Sequence, residues 1–327
     1  MAFSLAEFAK LDKNEMRAGV IATLLRYSQI MDLIPWENSG SLKTEATRWN
    51  TLPTVGFRQI NAVYTANEGT YDQIWESVYP FGGKISFDRI FTLASNVLKD
   101  PVADQTEMKL KSLAMTWNYY FINGDHGSDP DGFEGLKKRI ASMPTRQTVY
   151  AAGSGAAALD PTASAANARA FLDAWEKSVK YCNGGQCNAI FMNEEMYLGF
   201  TRVLRYLNIS GGGIMDVTQD NFGRQITTYK GIPFIDVGYK SDLTTEIITD
   251  TETAGDSGSD ATSVYFASYD PVEGMCGLQM KDMDILDDQS SGPLVIAKVI
   301  DWITGLASWG KYGLVRMANC EGASNWT

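Results

Sequence analysis

The chain of 327 residues contains a single histidine, His126, and this limits the catalytic chemistry available to it. A Ser-His-Asp or Cys-His arrangement needs a histidine base, so His126 would have to fill that role. It lies in residues 123–132, a segment of Asn, Asp and Gly in which a polar loop histidine is expected without catalysis. The sequence therefore predicts no catalytic residue and no enzyme activity.

Cysteine is also scarce, and long apolar runs are missing. Sparse cysteine in a chain of this length indicates a reducing compartment without a disulfide framework. The four cysteines are Cys182, Cys187, Cys276 and Cys320. The first residues carry acids where a signal peptide needs an apolar core, and no apolar run is long enough to span a bilayer. We expect a protein made and kept in cytoplasm-like solution, with no membrane partner.

Clusters of positive charge are few, and the formal net charge is −11. Proteins that bind nucleic acids through phosphate contacts gather Lys and Arg into a stripe. The densest cluster here, Lys137–Arg139, is short, and we interpret it as a solvated helix face. Sequence-specific nucleic-acid binding is therefore disfavoured, whereas an acidic wall around enclosed DNA is compatible with this charge.

Cofactor and metal motifs are incomplete. Residues 153–155 resemble part of a phosphate loop but lack the Lys and Ser/Thr that should follow. Asp125, Asp129 and Asp131 share one loop, yet carboxylates are missing at the first and last positions that an EF-hand requires. Glu194 and Glu195 open a predicted helix, but nothing singles them out as a catalytic pair. We predict no cofactor and no metal.

Helical periodicity is strong in the first third of the chain. Residues 1–34 are predicted to form an amphipathic helical segment that ends before Pro35. A longer helix is predicted over residues 101–122, because Pro101 suits a first helical position and Asn123-Gly124 tolerates a left-handed turn. Its apolar stripe comprises Leu110, Leu113, Ala114, Trp117 and Phe121.

An extended hairpin is predicted between these helices. Residues 52–60 and 71–79 are interpreted as its two strands, with a turn at residues 67–69. A lone hairpin is only marginally stable in water and leaves its strand edges open, so it needs a partner surface. We predict that this surface belongs to another subunit. The proposed contact residues are Val55, Phe57, Ile74, Trp75 and Tyr79.

The rest of the chain mixes helices and strands, which predicts an α+β fold. A helix carrying Phe171 and Trp175 is followed by a strand at residues 188–193 and a helix that reaches residue 207. Further strands are predicted at residues 222–229, 234–237, 264–268, 294–309 and 313–317. Residues 241–262 contain six acids and no base, which predicts a mobile surface loop.

Taken in order, these elements resemble the Hong Kong 97-like major capsid protein of tailed bacteriophages, and the resemblance covers nearly the entire chain. Short signatures carry it. They are Leu52–Arg58 followed by Asn61, Phe121–Asp125 with Phe133–Leu136, Phe191–Tyr197, and Tyr229–Phe234.

The resemblance implies a division of the chain into five parts. These are an N-terminal arm (1–40), an extended β-hairpin loop (41–87), a peripheral domain (88–160) with the spine helix 101–122, an axial domain (161–270), and terminal strands returning to the two domains (271–327). It further implies hexamers and pentamers that form an icosahedral shell around double-stranded DNA. The expected location is the virion, with assembly in the host cytoplasm.

Further partners follow from the same resemblance. Because no long extension precedes the arm and the chain begins with Met1, a separate scaffolding protein is expected, together with a portal and a decoration protein. Lys43 and Lys84 flank the hairpin, but we interpret them as solvated lysines and assign no cross-link. Two alternatives stay open: an encapsulin-like compartment shell that holds protein cargo, and a soluble enzyme.

Overall fold

The computed structural model describes residues 27–88, 90, 101–208, 215–219, 225–271, 273–288 and 294–322. Most of the helical segment predicted over residues 1–34 lies outside these ranges, as does the start of the strand predicted at residues 222–229. The described part of the arm is a short helix, α1 (Gln29–Leu33), whose N-terminus is capped by Ser28. The Ser28 hydroxyl accepts a hydrogen bond from the amide of Met31 at 3.2 Å.

The strands form three sheets, and together with the helices they give the predicted α+β fold. A four-stranded sheet has the order β1-β11-β12-β4. Its strands are β1 (Trp36–Asn38), β4 (Tyr79–Asp88), β11 (Met275–Asp287) and β12 (Val295–Ser308). Two predicted strands are confirmed. Residues 294–309 correspond to β12, and residues 313–317 overlap the strand Leu314–Glu321 of the second sheet.

A seven-stranded mixed sheet has the order β5-β13-β10-β6-β9-β8-β7. Its strands are β5 (Thr148–Tyr150), β6 (Ala189–Met192), β7 (Met215–Gln219), β8 (Gln225–Tyr229), β9 (Ile232–Asp236), β10 (Ala261–Ala267) and β13 (Leu314–Glu321). Strand β6 is buried at all four positions, as expected for a strand in the middle of a covered sheet. The third sheet is the two-stranded ribbon of β2 (Lys43–Thr51) and β3 (Thr70–Ser77).

The predicted spine helix is confirmed as α2 (Pro101–Asn123), a rod of 23 residues. At a rise of 1.5 Å per residue it extends about 34 Å. All five residues of its predicted apolar stripe are buried. Trp117 lies at the centre of this contact, with its ring 5.7 Å from that of Trp36 and 5.5 Å from that of Phe121. Across the described ranges, no helix is both long and apolar enough to cross a membrane.

Two helices, α4 (Ala165–Tyr181) and α5 (Glu194–Tyr206), pack on the seven-stranded sheet, and the shorter α3 (Leu136–Ser142) follows α2. Asn193 caps α5 by accepting a hydrogen bond from the amide of Met196 at 2.9 Å. The core under α4 and α5 is aromatic and centres on Trp175, which is fully buried. Its ring lies 4.5 Å from that of Phe200 and 5.2 Å from that of Phe266.

The acidic segment 241–262 is not the mobile surface loop that its composition predicts. Ile247 and Ile248 are buried, and Glu252 forms ion pairs with Lys137 at 2.5 Å and with Arg316 at 2.9 Å. Burial alone would raise the pKa of Glu252, but the charges of Arg316 and Lys137 outweigh it and lower this pKa. The basic partners that hold the segment come from distant parts of the chain.

Candidate intersubunit interface

Most residues of the ribbon are exposed. Its strands β2 and β3 are antiparallel, with Lys43 opposite Ser77 at the base and Thr51 opposite Thr70 at the outer end. Within the described ranges, the two strands pair only with each other. The second predicted strand, 71–79, is confirmed through Ser77, but the first was placed wrongly. Residues 52–60 follow the end of β2 and form no strand.

The two faces of the ribbon differ in chemistry. The inner face, turned toward the body, carries the partly buried Arg48, Ile74 and Asp72. The outer face carries three exposed aromatic rings: Trp49, Tyr71 and Trp75. A sheet with one face on the body and one in water normally places polar side chains outward. This outer face therefore exposes aromatic surface that contact with another molecule could bury.

Beyond the ribbon, residues 52–69 form a loop whose apolar side chains have no cover on the described chain. Val55 is 96% exposed and Phe57 fully exposed, and Ile60 and Val63 are each at least 90% exposed. The only ordered turn in the loop is at Ile60 and Asn61. An exposed apolar cluster of this kind marks a binding surface on a folded protein.

The base of the ribbon is fixed by a buried ion pair between Glu76 of β3 and Arg139 of α3. Arg139 also donates to the carbonyl of Leu306 at 2.6 Å, and the amide of Ser308 donates to Glu76 at 3.3 Å. Burial opposes the charge of Arg139, but the carboxylate of Glu76 outweighs that effect and raises the Arg139 pKa. The interpretation of Lys137–Arg139 as a solvated helix face is therefore wrong for Arg139.

Close backbone packing holds the same base. A Cβ atom at Gly305 of β12 would lie 2.5 Å from the carbonyl oxygen of Ser77, the last residue of β3. Because Gly305 has no Cβ, the end of β3 can lie directly against the backbone of β12. The ribbon is thus anchored at its base by both backbone contact and charge.

Farther out, the tethers to the body are polar and more exposed. Arg48, which pairs within the ribbon with Asp72 at 2.9 Å, donates to the carbonyl of Trp309 at 3.5 Å, and Lys311 donates to the side chain of Asn50 at 2.5 Å. Between these tethers and α3 lies a cavity of about 480 Å³, lined by side chains that include Arg48, Glu76 and Arg139. The ribbon therefore touches its own body through these polar groups and through Ala46 and Ile74, whereas its exposed aromatic rings lie on the opposite face.

The five contact residues predicted from sequence do not share one surface. Val55, Phe57 and Trp75 are exposed, whereas Ile74 faces the body and packs beside a small buried cluster. Tyr79 lies in β4 rather than in the ribbon and packs against the main core. The placement of Tyr79 in the hairpin was therefore wrong, because β3 ends at Ser77 and the chain enters the four-stranded sheet.

Sequence reasoning missed Trp49 and Tyr71, which lie directly opposite each other on the outer face. Residues 43–51 are polar apart from Ala46 and Trp49, so no apolar alternation in the sequence indicated this strand. Lys43 also contributes to this face, with its ammonium 4.9 Å from the centre of the Trp75 ring. Lys84 lies in β4 and forms an ion pair with Asp288 at 2.5 Å.

The residues that sequence analysis weighed as catalytic or metal-binding do not form a reactive group. His126 is exposed in its loop, with Nδ1 3.3 Å from the Tyr79 hydroxyl and 3.2 Å from the carbonyl of Gly132. All four cysteines are unpaired and buried, and burial raises the pKa of Cys276 and of Cys320 to about 12. In the ranges that the structure describes, no three His, Cys, Asp or Glu side chains are grouped to hold a metal.

Comparison with known proteins finds one family match and several structures with a similar fold. Residues 12–160 match the family model described as Major capsid protein GP7. The chain superposes on the SrpI encapsulin of Synechococcus elongatus PCC 7942, solved as a holo complex, with a TM-score of 0.62 and 10% identity, covering 91% of this chain and 89% of that one. No curated protein sequence matches the chain.

Two further similar structures come from a GTA particle and from a phage. The capsid of the native GTA particle gives a TM-score of 0.56 at 12% identity, covering 90% of this chain and 89% of that one. A structure from Mycobacterium phage Bobi gives 0.54 at 12% identity, covering 97% and 98%. At these identities the likeness establishes the fold.

Proposed function

We propose that this chain is a shell-forming major capsid protein with the Hong Kong 97-like fold, and that its ribbon and loop lie on a neighbouring copy of the same chain. Repeated around closed rings, this contact would build the hexamers and pentamers of an icosahedral shell. The observation that carries the proposal is the exposed apolar loop at residues 52–69, on a ribbon whose aromatic rings are exposed on the face turned away from its own body.

The physical reason is the cost of leaving this surface in water. Burying apolar surface contributes about 25 cal/mol per Å², and the loop exposes four large apolar side chains almost completely. The same chain has several buried side chains of the same types in its core. Apolar residues placed outside a well-filled core indicate that a second molecule covers them.

The net charge of the chain bears on how a shell of this protein would hold DNA. A net charge of −11 disfavours tight binding to a polyanion, so we propose that double-stranded DNA is enclosed without sequence-specific contact. The chain would act as a structural protein of the virion, assembled in the host cytoplasm, with a separate scaffolding protein, a portal and a decoration protein as partners. Recognition of these partners is not visible in the described residues.

An encapsulin-like compartment is the second candidate, because the SrpI encapsulin shares the fold at a TM-score of 0.62. The match of residues 12–160 to a capsid family favours the viral shell. Electron microscopy of purified particles, combined with nuclease and protein analysis of their contents, distinguishes the two. Packaged double-stranded DNA supports the viral shell, and a single enriched cargo protein supports the compartment.

The proposed contact is tested by replacing Val55 and Phe57 together with serine. Both side chains are exposed, so the free energy of unfolding should change by about 0.5 kcal/mol or less. Particle formation should fall to a small fraction of that of the unaltered chain. Light scattering after size-exclusion chromatography measures particle yield, and thermal unfolding measures stability.

The matched control is Leu243→Ser, which removes a large exposed apolar side chain from the acidic segment outside the ribbon. This variant should form particles at the normal yield. Normal particles from the Val55 and Phe57 variant would contradict the proposed role of the loop.

A further inference from the structure

We infer that a basic cluster made by Arg146, Lys177 and Lys180 is a second contact between copies, and that its partner is the carboxylate surface at the opposite end of the seven-stranded sheet in the next subunit. This inference rests on the proposed function, because it assumes closed rings of identical chains. It concerns a surface separate from the ribbon and loop.

The basic cluster is arranged around two tyrosine rings. The guanidinium of Arg146 lies 4.5 Å from the ring centre of Tyr181 and 5.4 Å from that of Tyr312. The ammonium of Lys177 lies 5.5 Å from the Tyr181 ring, and Lys180 donates to the carbonyl of Gly184 at 3.0 Å. These rings and this carbonyl hold three like charges close together.

No described carboxylate neutralises the cluster. Arg146, Lys177 and Lys180 are exposed, and none of them lies within 4.0 Å of an Asp or Glu in the described ranges. Asp173 is one helical turn before Lys177 on α4 but forms no such pair. In a chain with a net charge of −11, three unpaired cations on one surface indicate an anionic partner.

The chain itself supplies such a partner surface around the start of α5. Glu194, Glu195 and Asp236 are exposed, Glu246 is partly buried, and none of the four forms an ion pair with a described cation. Partial burial, together with the negative charges of Asp250, Glu195 and Asp236, raises the pKa of Glu246. The carboxylates of this surface repel one another in the isolated subunit.

The sheet topology places the two surfaces at opposite ends. Arg146 and Tyr312 come just before β5 and β13, which are parallel to each other. Strand β10 is antiparallel to both β13 and β6, so β6 runs in the same direction as β13, and β9 is parallel to β6. Glu194 and Glu195 follow the end of β6, and Asp236 ends β9. The cations therefore lie at the beginnings of these strands and the carboxylates at the ends.

Opposite charges at the two ends of one domain suit a head-to-tail contact. In a closed ring every subunit presents one surface to its neighbour on one side and a different surface on the other. The basic end of one copy can then meet the acidic end of the next, which relieves both sets of unpaired charge. A contact of two identical surfaces would instead bring like charges together.

The test is a charge exchange in the full chain. Lys177→Glu with Lys180→Glu reverses the basic cluster, and Glu194→Lys with Glu195→Lys reverses the acidic surface. Each double variant alone should assemble about tenfold more slowly or worse, because like charges then meet across the contact. Combining all four substitutions in one chain should recover assembly, since the reversed basic end of each copy then meets the reversed acidic end of the next in hexamers and pentamers alike. Time-resolved light scattering measures the rate.

Two controls separate this effect from folding and from general charge. Arg169→Glu reverses one positive charge at an exposed position of the same helix, outside the cluster, and should assemble normally. Because lysine at the start of α5 opposes the helix dipole, Glu194→Gln with Glu195→Gln serves as a milder variant. It should slow assembly less than the reversal, with thermal unfolding unchanged.

The outcomes are distinct. Normal assembly of both reversed variants, or a folded chain with all four substitutions that fails to recover assembly, would overturn the inference. So would loss of binding to a double-stranded DNA fragment by the Lys177 and Lys180 variant with assembly intact, because the cluster would then be a nucleic-acid contact. If the unaltered chain forms no particles, the proposed function itself fails.

Discussion

Aromatic side chains are buried in the core beneath α4 but exposed on the ribbon. In the core, Trp175 is fully buried, and its closest ring neighbour is Phe200 at 4.5 Å. On the ribbon, Trp49, Tyr71 and Trp75 are between 50% and 72% exposed. The core aromatics complete one folded chain, whereas we assign those of the ribbon to contact with another copy. Composition alone cannot distinguish buried from exposed aromatic residues, because both regions add to the same aromatic content.

The largest expected effect lies in the core. Trp175→Ala removes a fully buried ring and should lower the free energy of unfolding by about 3–5 kcal/mol. Urea denaturation is best measured in the Val55 and Phe57 serine variant, so that assembly does not add to the apparent stability. A loss below about 1 kcal/mol would show that Trp175 is not the centre of this core.

The next largest loss of stability is expected at the buried Glu76–Arg139 ion pair between the ribbon and the body. Glu76→Gln leaves the guanidinium of Arg139 buried without its charge partner and should cost about 3 kcal/mol. The matched control is Asp72→Asn, which breaks the more exposed pair with Arg48 and should cost about 1 kcal/mol or less. Equal losses for the two variants, measured by the same urea denaturation, would contradict the distinction between a buried base and polar outer tethers.

The smallest effect on stability is expected at the outer face. Trp75→Ala is the same substitution as Trp175→Ala, but the ring is half exposed, so it should cost about 1 kcal/mol or less. Particle yield should nevertheless fall clearly, as counted by negative-stain electron microscopy. His126→Ala, in an exposed loop, should leave both quantities unchanged. A normal particle yield from Trp75→Ala would remove the outer face from the proposed interface.

Much of the fold could be predicted because local patterns agree with burial. The stripe of α2, the strand that became β6, and the long β12 each carry apolar residues at the spacing that their structure buries. The family resemblance then supplied the order of the parts. The boundaries of the five parts remain predictions, and the structure places the end of the extended loop, from Tyr79 onward, within the four-stranded sheet.

The errors have a common physical cause. Residues 52–60 alternate like a strand, but their side chains are exposed, and the actual strand β2 is largely polar because only one of its faces meets the body. Arg139 and Glu252 belong to short charged segments that look solvated. Their partners Glu76 and Arg316 lie more than 60 residues away in sequence, and only the folded chain brings them together.

The loop at residues 52–69 also has a consequence for the life of the free subunit. Val55, Phe57, Ile60 and Val63 are in contact with water in the free subunit, so unassembled chains should aggregate more readily as their concentration rises. Fast capture into particles protects the chain from precipitation. A cell that synthesises this protein faster than particles form would accumulate insoluble protein. The exposed apolar loop would be the cause.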